Sequence, residues 1–367
     1  MDYSPELVKR AAALETPVLI LDRRLVRQAA RALLQALPGI ELLYAVKANP
    51  HPAVLRALAQ EGCGFEVSSV KELEAVLALG VPAQRLISSN PIKPVDFLRR
   101  SRDAGLRTFA FDSRGEVDKL AQHAAGSRVY LRLVVDNTGS EWPLSKKYGV
   151  NASEALELFT YAKGRGLEPY GLTFHVGSQC LNKDNWANAL YLAGELFTVL
   201  ARHGIGLSML SLGGGMPVRH TKPVPSFAEI GEVVARAVAE ALPPGLRLTM
   251  EPGRALVGEA ATLVTTVIGK AARGPEEWLY TDVGVFNGLM ETVGGLKYEL
   301  RTERSGPPRT YTVAGPSCDS FDMMFQGITL PEVEAGDRLY IMNAGAYTTA
   351  YASSFNGFGP PRVHLIG

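Results

Sequence analysis

Cysteine is scarce. Among 367 residues there are three, Cys63, Cys180 and Cys318. They lie far apart, without metal-ligand spacing and without the dense pattern of a disulfide framework. No metal is therefore expected, and a reducing compartment is. Net charge is scarce as well. The balance of 38 basic and 37 acidic side chains leaves +1, which offers no global attraction to nucleic acid or a membrane surface. No apolar run reaches the roughly 18 residues that a membrane span needs. Residues 1–16 carry Lys9, Arg10 and several acids where a signal peptide would have an apolar core. The expectation is a cytoplasmic globular protein with neither a nucleic-acid nor a membrane partner.

What is present is a rhythm. Short apolar segments at 42–46, 65–67, 86–88, 108–111, 129–134, 171–174, 210–212 and 246–250 alternate with helical segments of roughly 10 to 20 residues. Eight such strand–helix units predict a closed (β/α)8 TIM barrel over residues 23–255, with an open doubly wound sheet as the structural alternative. From about residue 256 the pattern changes. Strands are expected at 262–270, 277–282, 309–314, 338–344 and 363–366, without long helices between them. This reads as a second, all-β domain made of 256–367 together with residues 1–22, whose segment 16–22 is a strand free to join it.

In a barrel, chemistry gathers where the strands end. The first strand runs into Lys47. An amine there is a candidate Schiff-base former with a carbonyl, including that of pyridoxal phosphate (PLP). The more ordinary reading of this stretch alone is a lysine surfacing where a strand stops. Later ends carry Glu66, Arg132, His175 with Ser178, Gly213-Gly214-Gly215, and Glu251 with Gly253 and Arg254. Three glycines let backbone N–H groups approach an anion such as phosphate, or simply form a turn. A carboxylate such as Glu251 can keep a pyridine nitrogen protonated, or pair with Arg254. His175 can stack on a flat ring, or be structural.

The β domain adds Cys318 and Asp319 side by side, Tyr347 after a glycine, and a polar, aromatic loop containing Phe355. A thiol can donate a proton at a reacting carbon. A carboxylate can bind a substrate ammonium. Buried packing is the ordinary alternative for the thiol and for the tyrosine.

Taken in order, YAVKAN at 44–49, FHVGSQ at 174–179, SLGGGMP at 211–217, EPGR at 251–254, AGPSCDSFD at 314–322 and MNAGAYTTAYASSFNGF at 342–358 resemble the fold-type III PLP-dependent decarboxylases. That group acts on ornithine, lysine, diaminopimelate and arginine, and the resemblance covers essentially the whole chain. It implies an alanine racemase-like fold and a homodimer with shared active sites. Lys47 would carry PLP, His175 would stack on its ring, and Glu251 would pair with the ring nitrogen. Ser178, Gly213, Gly214, Gly215, Gly253, Arg254 and Tyr347 would surround the phosphate, with Glu66 and Arg132 near the ring. Cys318 would be the proton donor. Asp319 would bind the distal amine of the substrate, with Glu291 as a second acid and Phe355 beside them. Lys147 and Asp322 resemble an ion pair that crosses the subunit interface in relatives. The Cys318-Asp319 pair, and the segments 142–149 and 346–358, look like the ornithine decarboxylases. Ornithine conversion to putrescine is thus expected, ahead of lysine, diaminopimelate or carboxynorspermidine as substrate. An inactive homologue acting as a binding protein is the non-enzyme alternative.

Overall fold

The computed structural model describes residues 1–144 and 146–367. Eight parallel strands form the first sheet: β1 Ile40–Ala45, β2 Gly64–Glu66, β3 Leu86–Ile87, β4 Thr108–Phe111, β5 Arg128–Arg132, β6 Glu168–Thr173, β7 Met209–Ser211 and β8 Arg247–Met250. Each pairs with its sequence neighbours, and β8 pairs with β1. The ring closes between β3 and β4 through the parallel bridge of Ser88 with Phe109. The two backbone bonds there are Ser88 N–H to Thr108 O (3.1 Å) and Ala110 N–H to Ser88 O (2.8 Å). The barrel is filled, not hollow. Leu43, Ile87, Ala110, Tyr130 and Met209 form one fully buried cluster, with Tyr170 against it.

Local sequence explains where the outer helices start. Ser69, Ser113 and Ser226 each cap a helix by accepting the backbone N–H three residues on, from Glu72, Glu116 and Glu229 respectively. At the last of these, Glu229 returns the bond to complete a capping box. Each cap fixes the direction in which the chain leaves the barrel rim.

The β unit is a second eight-stranded sheet in which Leu300–Thr302, Arg338–Ile341, Ala261–Arg273, Glu276–Thr281, Pro308–Ala314 and Met323–Pro331 lie in that order. Val18–Asp22 joins it, antiparallel to Ala261–Arg273 and parallel to Arg362–Ile366. Helix Pro5–Ala12 supplies Leu7 and Ala11 to a core with Val18, Ile20, Val264, Tyr340 and Met342.

Several expectations need adjustment. Met323–Pro331 is a strand that simple alternation misses, because Gly327 takes φ +69° and the pairing with Pro308–Ala314 shifts register. Leu300–Thr302 is too short to show a period. The strand expected over 338–344 stops at Ile341, where Asn343 turns the chain with φ +56°. The compact units are Ala29–Pro217 with Pro225–Gly253, and Met1–Gln28 with Val218–Val224 and Arg254–Gly367. Residues 23–28 and 218–224, expected in the barrel, thus belong with the β unit. Arg23 donates to Ile366 O, and Asn343 donates to Arg219 O.

Candidate active site

In the barrel unit the strand ends bring the predicted residues onto one rim. Lys47 lies in the single turn Val46–Ala48 that follows β1. The flanking Val46 and Ala48 are buried, but the Lys47 side chain is 55 % exposed. Two apolar anchors hold the turn and aim the amine outward. Its Nζ stands 3.8 Å from Glu66 Oε2 at the end of β2. Glu66 is almost wholly buried. Its Oε1 accepts from Ser68 Oγ (2.8 Å) and Ser89 N–H (3.3 Å). Its Oε2 has no hydrogen-bond partner.

Glu251 follows β8 and is buried. Its Oε1 accepts from Ser211 Oγ at 2.5 Å. Burial, and then the nearby charge of Glu66, push its carboxyl above the ordinary carboxylate range, while Ser211, Ser89 and Lys47 work against that rise. A buried carboxylate whose charge is disfavoured in this way creates a site where a cationic ring nitrogen is welcome.

His175, just past β6, is half-buried. Its Nδ1 accepts the N–H of Gly177 at 3.0 Å. Burial and the positive charges of Arg132 and Lys47 hold its pKa well below the usual histidine value. It is therefore a neutral imidazole with Nε2 as the protonated nitrogen. Arg132 ends β5, its Cζ 5.7 Å from the centre of the Tyr148 ring.

The glycines after β7 are required by shape. A Cβ on Gly213 would lie 2.0 Å from Phe174 O, and on Gly215 2.3 Å from Gly177 O. Gly213 and Gly215 also sit at φ +62° and +102°. A Cβ on Gly214 would meet His175 Nε2 at 3.2 Å, so the loop passes bare backbone beside the imidazole. Ser178 begins the short strand Ser178–Cys180, which pairs with Ser140–Trp142. Gly253 is buried.

In the β unit, Arg254 pairs with Glu291. Nη1 donates to Oε2 at 2.8 Å and Nη2 donates to Oε1, with side chains 5 % and 7 % exposed. Tyr298 OH also reaches Glu291 Oε2 (3.4 Å). Glu291, expected as an acid for the substrate amine, has both oxygens committed to this network. The Arg254 Cζ lies 5.0 Å from the ring centre of Tyr347, whose backbone is left-handed at φ +62°.

Cys318 is exposed, whereas Cys63 and Cys180 are buried, and burial pushes the Cys63 thiol up to about 12. The Cys318 loop is held by its own backbone: Asn356 Oδ1 accepts Cys318 N–H (3.2 Å) and Asp319 Oδ1 accepts Phe321 N–H (2.8 Å). Phe355 is 43 % exposed and tilts against Phe286 at 4.7 Å.

Asp322 lies four residues beyond Cys318. It is 3 % exposed, and its carboxylate accepts Val285 N–H (2.7 Å) and Ser317 N–H (3.0 Å). Through these bonds it braces the Cys318 loop. Within the segment 142–149, Ser145 lies outside the described residues.

Sequence reasoning missed three supports. Ser89 donates its backbone N–H to Glu66, Ser211 donates its hydroxyl to Glu251, and Tyr130 OH lies 2.6 Å from Ser89 Oγ. The serines beside each strand end were a visible signal for the first two. Among the described residues no His, Cys, Asp and Glu cluster could hold a metal, and no helix is long and apolar enough to cross a membrane.

The barrel rim, with its accessible amine, neutral imidazole and paired buried acids, fits a carbonyl cofactor built on a protonated ring. A model of the pyridoxal-dependent decarboxylase family, pyridoxal binding domain, matches residues 23–258. The lysine/ornithine decarboxylase of Selenomonas ruminantium is 35 % identical over 357 residues, covering 96 % of this chain and 90 % of that one. The ornithine decarboxylase of Mus musculus is 32 % identical over 355 residues, covering 91 % and 77 %. The crystal structure of lysine/ornithine decarboxylase complexed with putrescine from Vibrio vulnificus superposes with a TM-score of 0.92 at 32 % identity, over 100 % of this chain and 99 % of that one. The chain belongs to the pyridoxal-dependent decarboxylases. It is a decarboxylase whose cofactor is PLP.

Proposed function

We propose that this enzyme decarboxylates a basic amino acid, L-ornithine foremost, releasing CO2 and putrescine. One observation carries the choice of substrate. In the Cys318-Asp319 pair the thiol and the carboxylate are both exposed, while Glu291 is tied to Arg254. A short diamine acid needs one distal acid and no second carboxylate-binding arginine, and Asp319 alone meets that need.

When bound, PLP supplies the electron sink for the pair left behind as CO2 departs. The resemblance to the family supports the following roles for the protein's own residues. Lys47 would hold the cofactor through its amine, with Glu66 at 3.8 Å to steady its charge. Glu251 keeps a proton on the ring nitrogen. Neutral His175 offers its flat face without adding a charge that would compete with that proton. Bare backbone at Gly213, Gly214 and Gly215, together with Ser178, Gly253, Arg254 and Tyr347, receives the phosphate. Cys318 of the partner subunit returns a proton to the reacting carbon, and Asp319 of the partner subunit holds the distal ammonium. Both assignments make the working enzyme a homodimer.

The test is CO2 release from L-ornithine, L-lysine, L-arginine and meso-diaminopimelate with added PLP. Ornithine should give the highest kcat/KM. Lysine should follow within about 10–200-fold, since one methylene is worth only about 1–3 kcal/mol. Preference for diaminopimelate or arginine would overturn the substrate assignment. Mixing inactive Lys47→Ala and Cys318→Ala chains should restore activity through mixed dimers, and no recovery would contradict shared sites.

A further inference from the structure

Four buried side chains of the β unit form one cluster: Arg254, Glu291, Tyr298 and His220, at 5 %, 5 %, 3 % and 7 % exposure. The Glu291 carboxylate grips the guanidinium along one edge with two bonds, which fixes the plane of the fork. The Tyr347 ring lies over Cζ at 5.0 Å. Tyr298 holds the carboxylate through its hydroxyl, and its own ring is set edge-on to His220, 4.9 Å between centres. Each contact fixes the next, and together they orient Arg254. A substrate acid would instead present a free oxygen to an accessible volume, and Glu291 does neither.

Resting on the reading of Arg254 as a phosphate-binding arginine, we infer that Glu291 is a positioning residue for the cofactor site, acting through Arg254, and not a substrate-binding acid. Two consequences follow. Loss of Glu291 weakens PLP binding and leaves the recognition of the distal amine intact. That amine then meets Asp319 as its single carboxylate, so discrimination between ornithine and lysine rests on reach alone.

The experiment uses full-length Glu291→Gln and Tyr298→Phe, stripped of cofactor and titrated with PLP by absorbance, followed by steady-state assays at saturating PLP. Glu291→Gln should raise the PLP Kd at least about tenfold, the scale expected when one partner of a buried, hydrogen-bonded pair is neutralised. Its KM for ornithine at saturating PLP should stay within about threefold of wild type, which the same scale treats as negligible. Tyr298→Phe should shift the PLP Kd in the same direction by less. It provides the reading if Glu291→Gln does not fold. A purely structural residue would lower the melting temperature and leave both the PLP Kd and the KM unmoved, which overturns the inference. A raised KM with unchanged PLP Kd would return Glu291 to the substrate. The PLP titration needs no amino acid, so it stands even if ornithine proves not to be the substrate. Wild-type protein that binds no PLP would remove the reading on which the inference rests.

Discussion

Two lysines stand just past strands of the same barrel, in opposite surroundings. Lys93, after β3, is fully buried. Its Nζ lies 2.9 Å from Glu116 Oε1 and donates to Asn90 O (2.9 Å) and Ala110 O (2.6 Å). Burial, only partly offset by Glu116, brings its amine down to about 8. Lys47, after β1, is more than half exposed and 3.8 Å from Glu66. By acidity alone Lys93 would be the better nucleophile at neutral pH. By access it is sealed, since its three protons are committed and no carbonyl compound can reach it. A perturbed pKa records what surrounds a group; whether that group does chemistry depends on what can approach it.

Substitution should separate the two most sharply. Lys47→Ala should lower kcat by about a thousandfold or more, the usual scale for losing a covalent anchor. Its unfolding free energy from urea titration should stay within about 0.5 kcal/mol of wild type, as for a surface change. Lys93→Met should do the reverse. It leaves Glu116 buried with Lys119 as its remaining cation, and should cost about 3 kcal/mol of stability. The folded fraction should still bind one PLP per chain. Equal loss of activity per folded molecule in both variants would erase the distinction.

The pH dependence sharpens the same contrast. Lys93 has a folded pKa near 8 against an ordinary 10.5. Below pH 8 both folded and unfolded states carry its proton, and the cost of burying the charge is fully present. Between pH 8 and 10.5 the unfolded state binds more protons, so stability rises with pH. Relative to Lys93→Met, wild-type stability should therefore gain about 1–3 kcal/mol across that window in denaturant titrations. A flat difference would mean that Lys93 titrates normally.

A smaller effect is expected where buried polarity has no partner at all. Neither ring nitrogen of His220 has a hydrogen-bond partner, and burial with the charge of Arg254 lowers its pKa to about 3. His220→Phe keeps a ring against Tyr298 and removes both unsatisfied atoms. It should stabilise the cofactor-free protein by about 1 kcal/mol in thermal melts. Destabilisation would show that the imidazole holds a polar partner.

The barrel was legible because its eight units repeat a two-state alternation, strand then helix, that local sequence reports directly. Strand ends therefore disclosed Lys47, His175 and Glu251. The β unit was less legible. Gly327 breaks the alternation of a real strand, and Val18–Asp22 pairs with residues more than 240 positions away. Partnership was the least legible feature of all. Arg254 stands three residues from Glu251, yet its carboxylate is Glu291, 37 residues on. Asp322 looks like a surface acid, yet it ties two backbone segments together. Such choices are made by tertiary packing, which no local pattern encodes.

The most direct test asks which lysine holds the cofactor. Enzyme loaded with PLP is reduced with borohydride, digested, and mapped by mass spectrometry. The pyridoxyl mass should fall on Lys47, at about one per chain, with Lys93 unmodified, because access and not acidity selects the amine. A label on Lys93, or on any lysine other than Lys47, would contradict it.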